Sequence, residues 1–266
     1  MKRQPTERRG KRKTFTVSCV AWIDLLGYGS MLREVGFDPA HTRAAAAVQR
    51  LRTFHAIVAE EADARSPALI VNDGAALFRD LSARSRSVTY DFFRRAVNVY
   101  RAVHDAEAAA GHPGPRMVVA TGMRMRADGV LRMRSGHLDA ILERLQEGRI
   151  TPTAAIREAF QSRPVVGFVP ELQANFAFTK AYLADQGGTK AGLPGPACYV
   201  DLNLFDATVP EWVQFERRVA WETPGMSAVF GAFAGLDEAA AGRVNHAGIL
   251  RADEILSRFG RLAGAD

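Results

Sequence analysis

The chain has 266 residues and a mass of 29.0 kDa, which suits one large domain or two small ones. Hydrophobic residues make up 47% and charged residues 24%, a balance typical of globular proteins that bury a core. The formal net charge is +6, and residues 1–13 account for all of it with seven basic side chains and one acidic side chain. We therefore expect a disordered basic tail at 1–13 and one neutral domain at 14–266, which argues against nucleic acid as a partner.

The apolar run that follows the tail is not an export signal, because Asp24 interrupts it and no small-residue cleavage site follows. No uninterrupted apolar stretch approaches the ~20 residues that cross a bilayer. The two cysteines, Cys19 and Cys198, lie in apolar runs and are too few for a disulfide framework. These features predict a cytoplasmic protein with reduced thiols and no membrane partner.

The first part of the domain predicts a strand, a helix and a β-hairpin. Residues 14–24 are rich in β-branched and aromatic side chains, as in a buried strand. Helical periodicity runs over 39–65. Two short apolar runs, 68–71 and 75–78, flank an Asn-Asp-Gly sequence at 72–74, and these residue types tolerate the positive φ of a hairpin turn.

The rest of the chain mixes helices and strands without strict alternation. An amphipathic helix is predicted at 87–111, with Ser87 as its N-cap and Gly111 as its stop, and a second hairpin at 116–126 and 130–134. The remaining predicted elements are helices at 138–147, 152–161, 171–186, 210–219 and 237–262, and strands at 165–169 and 197–204. This order favours an α+β sheet with helices on one face over a doubly wound parallel sheet.

Two acidic residues carry the strongest chemical signal. Asp24 ends an apolar strand, where burying a carboxylate is costly unless something compensates for it. Asp73 lies at the tip of the first hairpin, so the two carboxylates converge at one sheet edge if their strands are neighbours. Paired carboxylates suit Mg²⁺ or Mn²⁺, and two such ions promote in-line phosphoryl displacement. Alternatively, Asp24 caps the following helix and Asp73 is only a turn residue.

Four segments, in order, resemble motifs of the class III nucleotide cyclases. Residues 22–28 (WIDLLGY) resemble the first-strand signature of that family, and residues 71–78 (VNDGAALF) resemble its second metal-binding motif. Residues 116–122 (RMVVATG) are similar to the strand that ends in Thr-Gly. Residues 175–180 (NFAFTK) are similar to the helix that carries a ribose-binding Asn and a triphosphate-binding cation.

The resemblance implies a ferredoxin-like α+β core, with an inserted helical segment at 135–165, and a site that holds two Mg²⁺ or Mn²⁺ ions. It implies a head-to-tail homodimer in which one protomer supplies the metal-binding acids and the other supplies Asn175 and Lys180. The family has Arg where this chain has Thr179, so the resemblance implies that the next residue, Lys180, is the cation that binds the triphosphate. The implied metal ligands are Asp24, Leu25 and Asp73; the implied catalytic residues are Asp24, Asp73, Asn175 and Lys180; and the implied substrate-binding residues are Leu26, Gly27, Tyr28 and Arg79.

Purine cyclases of the family carry polar base-reading groups where this chain has Leu69 and Phe168. The resemblance is strongest to the short pyrimidine cyclases of bacterial Pycsar anti-phage defence, and it implies a nucleoside triphosphate substrate, with UTP ahead of CTP. The turn at 25–28 would offer backbone N–H groups to the phosphates. The alternatives are a purine cyclase, a catalytically dead cyclase-like nucleotide-binding module, a diguanylate-cyclase-like or polymerase-palm enzyme, and a nucleic-acid-binding protein recruited through the tail.

Overall fold

The computed structural model describes residues 15–125, 136–161 and 169–262, and contains both helices and strands. The strands are β1 (Phe15–Leu25), β2 (Ala68–Val71), β3 (Gly74–Asp80), β4 (Pro115–Met125), β5 (Ala197–Asp201), β6 (Val213–Thr223) and β7 (Met226–Leu236). The helices are α1 (Tyr28–Glu34), α2 (Ala44–Glu61), α3 (Arg86–Ala109), α4 (Gly136–Gln146), α5 (Pro152–Gln161), α6 (Phe176–Gly187), α7 (Glu238–Arg243) and α8 (Ala252–Leu262).

The strands form one seven-stranded sheet in the order β2-β3-β1-β4-β5-β7-β6. β4 and β5 are parallel, and the other neighbouring pairs are antiparallel. As in a ferredoxin-like unit, helices follow β1 and the β2–β3 hairpin, and the first four strands have the order β2-β3-β1-β4. The predicted α+β class with a ferredoxin-like core is therefore confirmed.

Both faces of the sheet are covered, so the prediction of helices on one face is wrong. Because side chains alternate along a strand, β1 sends Cys19 and Ile23 into the core beneath α2 and α3. The same strand sends Val20 and Trp22 to the opposite face, where α6 packs. The order of elements along a sequence does not reveal which face a helix covers, and this explains the error.

α6 lies close to the sheet because small residues line the contact. Ala177, Ala181 and Ala184 are fully buried on the side of the helix that faces the sheet. A Cβ atom added at Gly122 on β4 would lie 2.7 Å from the backbone nitrogen of Ala177. Any larger residue at position 122 would therefore push α6 away from the sheet.

The strand at 14–24, the hairpin at 68–78 and the helices at 39–65 and 87–111 are found close to their predicted positions. The N-cap of α3 is Ser85 rather than Ser87.

The C-terminal third differs most from the sequence prediction. The predicted helix at 210–219 is wrong, because these residues enter β6, which pairs with the unpredicted strand β7 through a turn at Gly225, where φ is 77°. The predicted helix at 237–262 is two helices, α7 and α8. Asn245 and His246, between them, have φ values of 47° and 57°, which no helix accommodates. The predicted strand at 165–169 and the second strand of the hairpin at 130–134 fall at least partly outside the described residues.

Within the described ranges, none of the helices combines the length and apolarity needed to cross a membrane.

Candidate active site

The structure brings Asp24 and Asp73 to one edge of the sheet. Asp24 lies near the end of β1, where its register partners are Gly74 on β3 and Arg116 on β4. The backbone N–H of Leu25 donates a hydrogen bond to the carbonyl oxygen of Asp73, at 3.0 Å. The tip of the β2–β3 hairpin is thus bonded to the end of β1, and both carboxylates belong to one local cluster.

The shape of the hairpin tip follows from its residues. Asn72 has φ 55°, in the left-handed region that Asn adopts at low cost, and its side-chain amide donates to the Asp73 carboxylate at 2.8 Å. Gly74 lies beneath the Trp22 ring, and a Cβ atom there would be 2.5 Å from Cζ2 of that ring. The Asn-Asp-Gly sequence therefore lets the turn lie tightly against β1.

Negative charge accumulates around Asp24. Burial, followed by the neighbouring Asp185 and Asp73 carboxylates, raises the pKa of its carboxyl to about 7 against the opposing effects of Arg116 and Arg50. A carboxylate that is hard to ionise beside other carboxylates is stabilised by an added cation.

The donor set fits a hard divalent cation, because the Asp24 and Asp73 carboxylates and the Leu25 carbonyl are oxygen ligands. Among the described residues no group of three or more His, Cys, Asp or Glu side chains is arranged to hold a metal ion. A site with two carboxylates leaves coordination positions for water and for substrate phosphates, which is how Mg²⁺ is usually bound.

The turn after β1 is stabilised by Arg50, a residue that the sequence did not point to. Gly27 adopts φ 77° at the start of α1, and the backbone N–H of Leu26 donates to the carbonyl of Gly114 at 3.1 Å. The Leu26 carbonyl accepts a hydrogen bond from Nη2 of the buried Arg50 at 2.8 Å. Glu107 forms a buried ion pair with the same guanidinium, and this pair therefore stabilises the turn after β1.

The side chain of Tyr28 is 4% exposed and belongs to the core beneath α2 and α3. Burial, followed by the nearby Asp73 carboxylate, raises the pKa of its phenol. The ring therefore supports the turn from the inside, close to Asp73.

Arg79 lies on the opposite face of the sheet from Asp24. It pairs in register with Cys19, whose side chain points toward α2 and α3, and its guanidinium binds Asp91 at 2.7 Å. Asp24 lies five positions after Cys19 on β1, or about 16 Å away. Within one chain the structure does not bring Arg79 to the paired acids.

Asn175 caps α6 with its side chain turned into the protein. Its side-chain oxygen accepts from the N–H of Phe178 at 3.1 Å, and its Nδ2 donates to Ser18 Oγ at 3.1 Å and to the Glu171 carbonyl at 2.8 Å. Ser18 is six residues before Asp24 on β1, so Asn175 lies about 20 Å from the acids of its own chain.

Lys180 is also turned inward. Its Nζ donates to Asp201 Oδ2 and to the Thr121 carbonyl, both at 2.8 Å, and the side chains of Lys180 and Asp201 are 5% and 0% exposed. The sequence did contain a signal for this orientation, since Lys180 lies three residues after Ala177 and four before Ala184, on the buried side of α6.

The outer side of α6 carries other residues. Phe176 is 52% exposed, and Tyr182 and Leu183 are each 39% exposed. This surface lies on the same sheet face as Asp24, because α6 packs against Trp22 and Val20.

Sequence reasoning also missed Arg116 and Asp185 as neighbours of Asp24. Arg116 binds Asp185 through Nε at 2.6 Å, and Trp22 donates from Nε1 to the other Asp185 oxygen at 3.2 Å. Burial raises the pKa of the Asp185 carboxyl, while Arg116 and Trp22 lower it. No local pattern joins residues 69 positions apart, so only the fold reveals the cluster.

With this geometry, the chain is similar to the crystal structure of the guanylyl cyclase Cya2. The superposition has a TM-score of 0.50 at 13% sequence identity and covers 84% of this chain and 94% of that chain. The fold is therefore class III nucleotide cyclase-like. No protein-family model and no curated protein matches the chain. The structural similarity therefore shows the fold alone, and a function has to follow from the residues of this chain.

Proposed function

We propose that this chain is a nucleotide cyclase that converts a nucleoside triphosphate into a 3′,5′-cyclic monophosphate and pyrophosphate. The observation that carries the proposal is the meeting of Asp24 and Asp73 at one sheet edge of a cyclase fold. Mg²⁺ or Mn²⁺, two per site, would activate the ribose 3′-hydroxyl and stabilise the leaving oxygen. Asp24, Asp73 and the Leu25 carbonyl would hold these cations, and residues 25–28 would lie beside the phosphates.

The proposed assembly is a head-to-tail homodimer. The exposed apolar residues Phe176, Tyr182 and Leu183 on α6 support an interface on the face that carries Asp24. In this assembly Asn175 and Lys180 of one protomer would serve the site of the other. To do so, Asn175 would have to leave Ser18 and Lys180 would have to leave Asp201, and this is the costliest part of the proposal.

The proposed substrate is a pyrimidine nucleotide, with UTP favoured and cUMP as its product. Leu69 is half-buried on β2 and packs on the same sheet face as Trp22 and Asp24, so the position of the purine reader is apolar. An unpaired polar edge of a purine costs roughly 1–3 kcal/mol per group, or about 5- to 150-fold in selectivity. Phe168 lies outside the described residues.

The resemblance alone supports three finer parts of the proposal. These are the choice of UTP, the base contacts of Tyr28 and Arg79, and a signalling role in anti-phage defence.

A second candidate is a cyclase-like module that binds a nucleotide without turning it over. The inward orientation of Asn175 and Lys180 favours it, because their polar groups are satisfied within their own chain. Such a module would keep the cation-binding acids and lack the groups that stabilise the transition state.

One experiment separates these functions. The purified full chain is incubated with Mn²⁺ and each of the four ribonucleoside triphosphates, and cyclic nucleotide and pyrophosphate are quantified by mass spectrometry. We expect product from UTP first and CTP second, and about 5- to 150-fold less from ATP or GTP. A preference for ATP or GTP would overturn the pyrimidine assignment and keep the cyclase. Mn²⁺-dependent binding of a triphosphate without any cyclic product would favour the binding module.

A further inference from the structure

Asp185 is a buried carboxylate whose oxygens are both bonded. It lies near the end of α6 with a side chain that is 1% exposed. Arg116 donates from Nε to Oδ1 at 2.6 Å, and Trp22 donates from Nε1 to Oδ2 at 3.2 Å. The carbonyl of Asp185 accepts a further hydrogen bond from Arg116 Nη2 at 2.7 Å. Asp185 thus binds one guanidinium through both its side chain and its backbone.

The same arginine is the direct cross-strand neighbour of Asp24. Arg116 on β4 and Asp24 on β1 are register partners in an antiparallel pair, which places their Cβ atoms about 4.5–5.5 Å apart on the same sheet face. A flexible arginine at this distance from a carboxylate can form an ion pair with it. Here the Nε and Nη2 donors are turned to Asp185 instead.

The surroundings of the guanidinium favour this orientation. Gly188 follows α6 at φ 47°, and a Cβ atom there would lie 2.9 Å from Arg116 Nη1. The glycine therefore leaves room for the guanidinium against the end of α6.

We propose that Asp185 is a positioning residue that keeps the cation site open, by holding Arg116 away from Asp24. This inference rests on the proposed function, since the cation site at Asp24 and Asp73 belongs to it. Without the negative charge at position 185, Arg116 can turn to the carboxylate of Asp24, its cross-strand neighbour. The ion pair that then forms occupies the oxygens that a divalent cation needs, and the arginine charge repels the cation.

The test measures Mn²⁺ binding to the purified full chain by electron paramagnetic resonance of free Mn²⁺, without a substrate. Asp185→Asn keeps the size of the side chain and removes its charge. We expect it to weaken Mn²⁺ binding roughly tenfold, the equivalent of an ion pair worth about 1.4 kcal/mol. In the double variant D185N/R116Q the competing arginine is absent, and Mn²⁺ binding returns to within about twofold of the wild type.

Two further variants control for general damage. Glu254→Gln removes a carboxylate from the ion pair with Arg86, which involves α8 and the start of α3, and leaves Mn²⁺ affinity unchanged. Asp185→Glu keeps the charge and retains most of the affinity. If D185N does not fold, the comparison of D185N/R116Q with the wild type decides, since a merely structural Asp185 predicts that the double variant also loses Mn²⁺.

The inference is overturned if D185N binds Mn²⁺ as the wild type does, if D185N/R116Q binds it as weakly as D185N, or if the wild type binds none. Its failure is distinguishable from failure of the proposed function. A wild type that binds Mn²⁺ but makes no cyclic nucleotide refutes the cyclase and leaves the Mn²⁺ series interpretable.

Discussion

Two charged clusters on the sheet of this protein differ in how their charges are balanced. At the end of β1, Asp24 lies beside Asp73 and Asp185, and burial with these carboxylates raises its pKa to about 7. About 16 Å away along β4, Lys180 and Asp201 form a buried pair whose polar atoms bond one another and the backbone of Thr121.

This contrast distinguishes a site that can take a ligand from one that holds the fold together. A buried pair with complete hydrogen bonding gains nothing from an added ion, and breaking it is costly. A group of carboxylates with insufficient positive charge is destabilising until a cation joins it. On this criterion we propose that the Asp24 cluster is the functional one and that the Lys180 cluster is structural in the isolated chain.

The largest expected effect is on activity at the first cluster. Asp24→Ala or Asp73→Ala removes a proposed cation ligand and lowers cyclisation roughly a thousandfold, since metal ions supply several kcal/mol of transition-state stabilisation. Both variants should keep the fold and the proposed dimer, because neither residue is part of the hydrophobic core. Product formation and size-exclusion chromatography are measured on the same samples. Substantial activity in the Asp73 variant would show that this acid is only a turn residue.

Substitution of Lys180 tests the structural character of the second cluster. Lys180→Ala leaves Asp201 as an unpaired buried charge, and we expect a loss of about 3–5 kcal/mol in the free energy of unfolding, measured in urea. The double variant K180M/D201N removes both charges and should recover most of that stability. Equal stability of Lys180→Ala and the wild type would contradict the structural interpretation.

The same variant tests the shared site. If Lys180 serves the partner's site, a mixture of Asp24→Ala and Lys180→Ala proteins assembles one intact site in each heterodimer and regains activity that neither parent has. Failure to complement, in subunits shown to exchange, would remove Lys180 from the proposed site.

The sequence predicted the acids better than their partners, for a physical reason. Asp24 and Asp73 are marked locally, one at the end of an apolar strand and the other in an Asn-Asp-Gly turn, and a hairpin beside the first strand brings them together. The inward orientation of Lys180 depends on which side of α6 faces the sheet; the spacing of the alanines around it indicates that side, and their burial confirms it. Arg116 and Asp185 lie 69 residues apart, and nothing local connects them.

The strand β6 shows a different limit. The sequence predicts a helix at 210–219, whereas in the structure the charged residues of 213–223 lie on a strand at the edge of the sheet. Val219 and Trp221, two residues apart, pack on one sheet face, as expected for a strand. Register shifts around Phe215 put that side chain against the other face and interrupt the alternation. The turn residues at Pro224 and Gly225 separate this strand from β7 and complete the hairpin pattern.

The smallest expected effect is on stability at the first cluster. The pKa of Asp24 is about 7 in the folded chain and near 3.8 in the unfolded chain. Between these values the folded state binds a proton that the unfolded state has released. The free energy of unfolding therefore falls progressively as the pH rises from about 4 to about 7. Asp24→Asn cannot ionise, so without metal it should be more stable than the wild type by roughly 1–2 kcal/mol at pH 8, after discounting for solvent screening.

That gain corresponds to a rise in Tm of about 2–8 °C, and it should nearly vanish at pH 4, where the wild-type carboxyl is protonated in the folded chain. Thermal unfolding of both proteins at pH 4 and pH 8, with chelator and then with Mn²⁺, measures it. Mn²⁺ should raise the Tm of the wild type more than that of the variant, because the cation binds the ionised carboxylate of the folded state. A difference in Tm that is the same at both pH values would mean that Asp24 ionises normally in the folded chain, and the imbalance of charge that separates the two clusters would then be absent.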